Sequence, residues 1–223
     1  MKCFIPAAGF GTRMGDLTSS LPKPLLTISG IPLLEIAIRT ALSWGIGTFI
    51  VNTHYQADKI HQFLKKFDSL DIIISHEKEA ILGTGGGIRT GLEGQLQDNE
   101  YFLVLNPDLL LFPESSFYPF PDNFSGDALL YLSQKTEDDQ NTSLKLSGGK
   151  VYFGEGNYYY IGLGVFKKSI LSSVPLKQFF DFRELFIQLS KEGRLFGKEF
   201  PGKVVDVGDK ELYLKHKDLF FIF

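Results

Sequence analysis

Apolar residues in this chain alternate between short continuous runs and longer stretches in which they recur every three or four positions. Lys2-Cys3-Phe4-Ile5, Thr48-Phe49-Ile50-Val51-Asn52, Asp71-Ile72-Ile73-Ile74-Ser75 and Tyr101-Phe102-Leu103-Val104-Leu105 each predict a buried strand. Leu34, Ile38 and Leu42 stand at helical spacing behind Pro32, which suits a first turn, and the helix they predict stops at Gly45. Ala57 to Lys66 predicts a second helix with Ile60, Phe63 and Leu64 inward, and the run Gly83–Gly87 opens a third that lasts to about Gly94. Continuous strands alternating with helices belong to the α/β class, with a parallel sheet covered on both faces.

The second half is less regular. Ala128-Leu129-Leu130-Tyr131-Leu132 predicts a strand, and the polar segment from Gln134 to Gly149 a loop or hairpin. Lys150-Val151-Tyr152-Phe153 and Tyr158 to Phe166, rich in β-branched and aromatic residues, predict two paired strands. Asp181 to Lys191 reads as a helix with Leu185, Phe186 and Leu189 in register, and Val204 to Gly208 as a short strand leading to a last helix, Lys210 to Lys217. The tail Leu219–Phe223 is apolar and predicts cover for the core or for a subunit interface. There is no repeat, low-complexity segment or linker, so residues 1–223 are expected to form one domain of two halves, about 1–112 and about 113–223.

Composition narrows the class. With 223 residues, 43% hydrophobic and 22% charged, the chain is long enough for a core that needs no staples. Its one cysteine, Cys3, excludes an internal disulfide and a thiolate zinc site, and fits a reducing cytoplasm. The apolar run after Lys2 ends at Pro6, so no signal peptide is expected, and no run is long enough to span a bilayer. A net charge of −3 gives no global basic field, so neither nucleic acid nor a membrane is the expected partner.

The candidate chemistry begins in the loop after the first strand, Pro6-Ala7-Ala8-Gly9-Phe10-Gly11-Thr12-Arg13-Met14. Small residues and two close glycines let backbone N–H groups converge on an anion, while Arg13 and Lys23 supply full positive charges. In a parallel sheet ligands sit beyond the carboxyl ends of the strands, and the loops Gly9–Arg13, Gly83–Gly87 and Asn106–Asp108 all fall there. Asp108 and Asp206 end apolar strands; as a pair above a phosphate loop they suit Mg²⁺, and singly they would serve to cap turns. The remaining polar and aromatic residues have blander expectations: His54 structural or superficial, His76, Glu77 and Glu79 on a solvated loop, Trp44 in the core, Tyr158–Tyr160 packed.

Taken in order, Ala7–Met14, Pro22-Lys23-Pro24-Leu25, Gly83–Gly87, Asn106-Pro107-Asp108 and Val205-Asp206-Val207-Gly208 resemble the motif series of the sugar-1-phosphate nucleotidyltransferases, nearer to the short uridylyl- and guanylyltransferase-like members. The resemblance implies a Rossmann-like three-layer α/β/α sandwich with a mostly parallel, mixed central sheet. It implies an enzyme that moves a nucleoside monophosphate from an NTP, first choice UTP, to a sugar 1-phosphate and releases pyrophosphate. The half 1–112 would then be nucleotide-binding and the half 113–223 acceptor-binding, with Ala8, Gly9, Gly11, Thr12, Arg13, Lys23, Gly85 and Gly86 on the nucleotide. Arg13, Lys23 and Asp108 would be catalytic, Asp108 and Asp206 would hold Mg²⁺, and Asn106, Gly162 and Glu184 would meet the acceptor.

Three departures from the family pattern bear on these roles. Pro107 replaces the usual glycine between Asn106 and Asp108, Asp209 replaces a common threonine, and a Glu-Lys-Pro element that grips the sugar phosphate in many members is missing. Guanylyl, thymidylyl or cytidylyl transfer, including transfer to phosphocholine, stays open, as does a non-catalytic nucleotide-sugar sensor. A dinucleotide-dependent oxidoreductase fits poorly, because Gly9-Phe10-Gly11 has no third glycine at the expected place.

Overall fold

The strand Lys2–Pro6 is buried on both faces and divides the hydrophobic core in two: Cys3 and Ile5 belong to one cluster, Phe4 to the other. The computed structural model describes residues 1–136 and 141–219. Its strands are β1 (Lys2–Pro6), β2 (Thr27–Ile28), β3 (Ile31–Pro32), β4 (Thr48–Thr53), β5 (Asp71–His76), β6 (Tyr101–Leu105), β7 (Leu109–Pro113) and β8 (Ala128–Gln134). They continue as β9 (Leu144–Ser147), β10 (Lys150–Phe153), β11 (Tyr158–Lys167), β12 (Leu195–Glu199) and β13 (Gly202–Asp206). The α-helices are α1 (Leu33–Ser43), α2 (Ala57–Leu64), α3 (Gly83–Gly91), α4 (Phe182–Lys191) and α5 (Lys210–His216).

Nine strands form the main sheet in the order β5-β4-β1-β6-β11-β8-β12-β10-β9. β5, β4, β1 and β6 run parallel, β11 is antiparallel to both β6 and β8, and β12 runs parallel to β8. Residues of α1 and α2, among them Leu34, Ile38, Ile60 and Leu64, pack with Cys3 and Ile5 on one side. Ile88 of α3 and Phe182, Leu185, Phe186 and Leu189 of α4 pack with Phe4 on the other. This is the expected three-layer, mostly parallel mixed sandwich. Among the described residues no helix is long and apolar enough to cross a membrane.

Several expectations change. Lys150–Phe153 and the long strand from Tyr158 are not partners along their length: β10 pairs with β9 as a hairpin, while β11 lies between β6 and β8. β7 and β12 are additional strands. β5 lies at the sheet edge with a mixed burial pattern, and Ile74 is 39% exposed, so its apolar run is less buried than expected. Asp206 does not end a strand of the main sheet; β13 pairs antiparallel with β7 in a separate ribbon, in a register that sets Asp206 opposite Leu109, next to Asp108. That ribbon has its own small core of Met14, Leu26, Leu33, Ile36, Leu110, Val205, Val207 and Tyr213, against which Leu219 packs. Phe220, Phe221 and Phe223 of the apolar tail lie outside the described residues.

The aromatic centre of the second cluster joins the sheet to α4. The Phe166 ring is fully buried, lies nearly parallel to Phe186 at 5.7 Å and meets Phe182 at 5.1 Å and Phe102 at 5.6 Å. Truncating it removes all three ring contacts and leaves a cavity that rigid neighbours cannot fill. Phe166→Ala is expected to cost about 3–5 kcal/mol in urea unfolding; a loss below about 1 kcal/mol would show that the α4 layer repacks freely.

Candidate active site

The carboxyl ends of β1, β4, β5 and β6 lie on one edge of the sheet, and the loops leaving them enclose a cleft of about 370 Å³. Its walls include Ala8, Gly9, Gly11, Thr12, Arg13, Lys23, Asn106 and Asp108, so loops from distant parts of the sequence do converge. The first loop folds on Gly11, whose φ of +67° lies in the left-handed region and whose added Cβ would stand 2.9 Å from Thr18 Cγ2. Only glycine suits both demands. Its carbonyl accepts from Met14 N at 2.8 Å and from Thr18 Oγ1 at 3.2 Å, and Tyr55 Oη donates to Thr18 O at 3.0 Å. The loop is thereby tied to the end of β4, while Arg13 stays exposed, its guanidinium making no hydrogen bond or ion pair among the described residues.

Lys23 is held beneath this loop. Its Nζ pairs with Asp108 Oδ2 and donates to Gly208 O at 2.8 Å, which leaves one ammonium proton for a phosphate oxygen. The carboxylates meet at Gly208: a Cβ placed there would lie 2.7 Å from Asp206 Oδ1, 3.3 Å from Asp108 Oδ2 and 3.4 Å from Arg13 Nη2. Burial first, and then the negative charge of Asp108, push Asp206 up to about 6, against the opposing pull of the Gly208 N–H, Lys23 and Arg13. Two carboxylates crowded together in a partly dry site fit a hard divalent cation that takes its other ligands from phosphate and water. Among the described residues no group of three or more His, Cys, Asp or Glu is placed to hold a metal ion by itself. Asp209 is not part of this set; its side chain accepts from Leu212 N at 2.9 Å and caps α5.

A second cavity of about 250 Å³ adjoins the first and shares Thr84 and Asn106 with it. Gly162, expected in the acceptor pocket, lines neither cavity; it sits at a register shift in β11 with φ +93°, where an added Cβ would stand 2.7 Å from Asn106 Nδ2. This bulge makes room for the Asn106 side chain, and Gly162 O accepts from Asn106 N at 2.9 Å. Glu184 is exposed on α4 and lines neither cavity, whereas Asp181 and Arg183 line the second. Gly85 and Gly86 are buried: added Cβ atoms would meet the Phe180 ring at 2.7 Å and Gln178 O at 2.1 Å, so their small size serves packing against the 178–182 segment. The cleft wall here is Gly83 and Thr84.

The residue sequence reasoning missed is Glu77. Instead of a solvated loop position it is 4% exposed, with Oε1 accepting from Asn52 Nδ2 at 2.7 Å and Oε2 from Leu82 N at 2.8 Å. Asn52 Oδ1 in turn accepts from Ala7 N at 2.8 Å, and His54 Nδ1 donates to Glu77 O at 2.6 Å. The chain of bonds ties three cleft loops together. A signal was present in the glycine run, since an added Cβ on Gly87 would lie 2.7 Å from Glu77 Oε1: α3 is stripped of side chains where this pair passes.

The model of the MobA-like NTP transferase domain matches residues 3–150. The chain belongs to this family. The matched span holds the first loop, Lys23, Glu77, Asn106 and Asp108, and stops before β11, α4 and Asp206. Mannose-1-phosphate guanyltransferase beta-B of Xenopus laevis is 28% identical over 228 residues, covering 96% of this chain and 63% of its own length. A probable mannose-1-phosphate guanylyltransferase of Oryza sativa subsp. japonica is 29% identical over 227 residues with the same coverages. The chain therefore spans less than two thirds of these relatives. Among solved structures, a UDP-glucose pyrophosphorylase from Acinetobacter superposes with a TM-score of 0.75 at 19% identity, over 97% of this chain and 91% of that one. HddC from Yersinia pseudotuberculosis gives 0.75 at 22% identity over 97% of each chain. These likenesses place the chain in the nucleotide-diphospho-sugar transferase fold.

Two outcomes follow for the site's electrostatics. Glu77→Gln offers one acceptor where two buried donors need one each, and is expected to lower stability by about 1–3 kcal/mol in urea unfolding; a change below about 0.5 kcal/mol would leave the network without structural weight. Asp206 binds its proton more tightly folded than unfolded, so its contribution favours folding at low pH and is lost as pH rises from about 4 toward about 6. With chelator present, Asp206→Asn should stabilise the protein at pH 8 by on the order of 1–2 kcal/mol and have no benefit at pH 4; equal effects at both pH values would contradict this.

Proposed function

We propose that this chain is a Mg²⁺-dependent sugar-1-phosphate nucleotidyltransferase. An acceptor phosphate oxygen bonds to the α-phosphorus of an NTP, the bond from that phosphorus to the bridging oxygen breaks, and pyrophosphate leaves. The observation that carries the reading is the convergence of a glycine loop, Arg13, Lys23 and Asp108 in one cleft, with Asp206 next to Asp108 at Gly208 just outside its lining, beside a second cavity that shares Thr84 and Asn106 with it.

The phosphate dianion of the acceptor is already a nucleophile, so no catalytic base is required and the task is to align two anions. Backbone N–H groups of the first loop receive the triphosphate, and the unpaired Arg13 guanidinium takes charge on the departing pyrophosphate. Lys23, held by Asp108 and Gly208, is aimed at the reacting phosphates with its remaining proton. Asp108 and Asp206 would hold Mg²⁺, which would neutralise phosphate charge in the transition state. Asn106, placed between the two cavities by the β11 bulge, orients the acceptor phosphate. UTP is the first choice of nucleotide; the guanylyltransferase names of the curated relatives favour GTP with mannose 1-phosphate as the second pairing.

Purified protein incubated with each NTP and a panel of sugar 1-phosphates is expected to release pyrophosphate with one pairing, to stop with EDTA and to resume with Mg²⁺. Asp108→Asn should lower kcat at least about 100-fold. Pyrophosphate release that ignores EDTA would remove the metal from the reading. Mg²⁺-independent nucleotide binding without turnover would favour the sensor.

A further inference from the structure

The second cavity has a chemistry of its own. Its walls combine apolar and aromatic residues, among them Leu130, Leu144, Phe153, Phe182 and Phe186, with polar groups that include Asn106, Tyr160, Asp181 and Arg183. Two of those groups have no partner. The Tyr160 hydroxyl is buried and makes no hydrogen bond among the described residues, although a buried hydroxyl ordinarily finds one. Arg183, by contrast an exposed residue, has a guanidinium that makes no hydrogen bond or ion pair among the described residues; its backbone N–H donates to Asp181 Oδ1 at 2.9 Å.

The position of Arg183 adds to this. Asp181 caps α4, which makes Arg183 the second residue of the first turn. The amino end of a helix carries partial positive charge and favours anions, so a cation there is on the wrong side of the dipole. Such an arrangement is unfavourable alone and becomes favourable once an anion sits between the helix end and the guanidinium. The cap carboxylate of Asp181 satisfies the Arg183 backbone N–H and Glu184 follows in the same turn, but neither carboxylate pairs with the Arg183 guanidinium.

We propose that Arg183 and Tyr160 are the acceptor-recognition residues of this chain, Arg183 taking an anionic oxygen of the phosphorylated sugar and Tyr160 a hydroxyl of its ring. The assignment rests on the nucleotidyl-transfer reading. It places the anion contact on α4, beyond the span of the family match. Aromatic walls suit the apolar faces of a sugar ring, and Thr84 and Asn106, common to both cavities, mark where acceptor and nucleotide meet.

The test is steady-state kinetics with the acceptor varied at saturating NTP, and the reverse, for wild type, Arg183→Ala, Arg183→Lys and Tyr160→Phe. Arg183→Ala should raise the acceptor KM by about 10–100-fold with the NTP KM within about twofold, and Arg183→Lys should recover part of the loss. Tyr160→Phe should raise the acceptor KM several-fold while its melting temperature stays level or rises, since the hydroxyl it loses has no protein partner. An unchanged acceptor KM in Arg183→Ala, or equal rises for both substrates, overturns the assignment. Calorimetric titration of wild type and Arg183→Ala with each sugar 1-phosphate of the panel decides it independently of turnover. Binding that Arg183→Ala weakens supports it even where no pyrophosphate forms, and binding that survives the substitution refutes it. Absence of both pyrophosphate release and sugar-phosphate binding in the wild type would remove the transfer reading and this assignment together.

Discussion

Lys23 fastens together parts of the chain that lie 85 and 185 positions away, through Asp108 on one side and the Gly208 carbonyl on the other. Most of the cleft depends on that junction. Asp108 leaves β6 of the main sheet, Gly208 follows the β7–β13 ribbon, and Lys23 comes from the short 3₁₀ turn Lys23–Leu25, packed under the glycine loop. The Lys23 stem is also one of the atoms an added Cβ on Gly11 would press on, at 3.2 Å. One ammonium thus fixes the height of the loop over the carboxylates. The cleft assembled this way carries the positive charges of Arg13 and Lys23 beside the carboxylate of Asp108.

The ribbon explains why the two aspartates act as a pair although 98 positions separate them in number. Antiparallel pairing puts Asp206 opposite Leu109, so its neighbour Asp108 is brought alongside, and Val207 N donates to Asp108 O at 3.0 Å to seal the corner. A single-residue slip in that register would turn Asp206 to the other face of the ribbon, into the small core of Met14, Leu110 and Val205. The apolar side of the ribbon therefore sets the geometry of the polar side.

The parallel half of the fold was legible because its signal is local. Continuous apolar runs, the glycine loop and the residue types at Lys23, Asn106 and Asp108 are each contained in a few adjacent positions. What was hidden depends on pairings that adjacent residues do not encode. β10 and β11 both read as strands, yet which neighbours they choose follows from the whole sheet. Glu77 looked solvated because Lys78 and Glu79 follow it, and only the fold brings Asn52 and Leu82 to its two oxygens. Gly162 and the Gly85–Gly86 pair were read as ligand-facing, as glycines near sites often are, but their missing side chains accommodate Asn106 and the 178–182 segment instead.

That last point bears on how the two cavities are coupled. If Gly162 touched substrate, its replacement would change one contact; as the bulge that admits Asn106, it governs a residue lining both cavities. Asn106 sits where its backbone is fixed by Gly162 O and its side chain by the space left at Gly162, with Pro107 locking the next φ. The proline that departs from the family pattern thus falls at the corner between the two cavities. The proposed in-line displacement between two phosphates would tolerate little angular error. A stiff Asn106-Pro107-Asp108 corner, braced by a bulge on one side and by Lys23 on the other, meets that demand with backbone constraints instead of extra charged side chains.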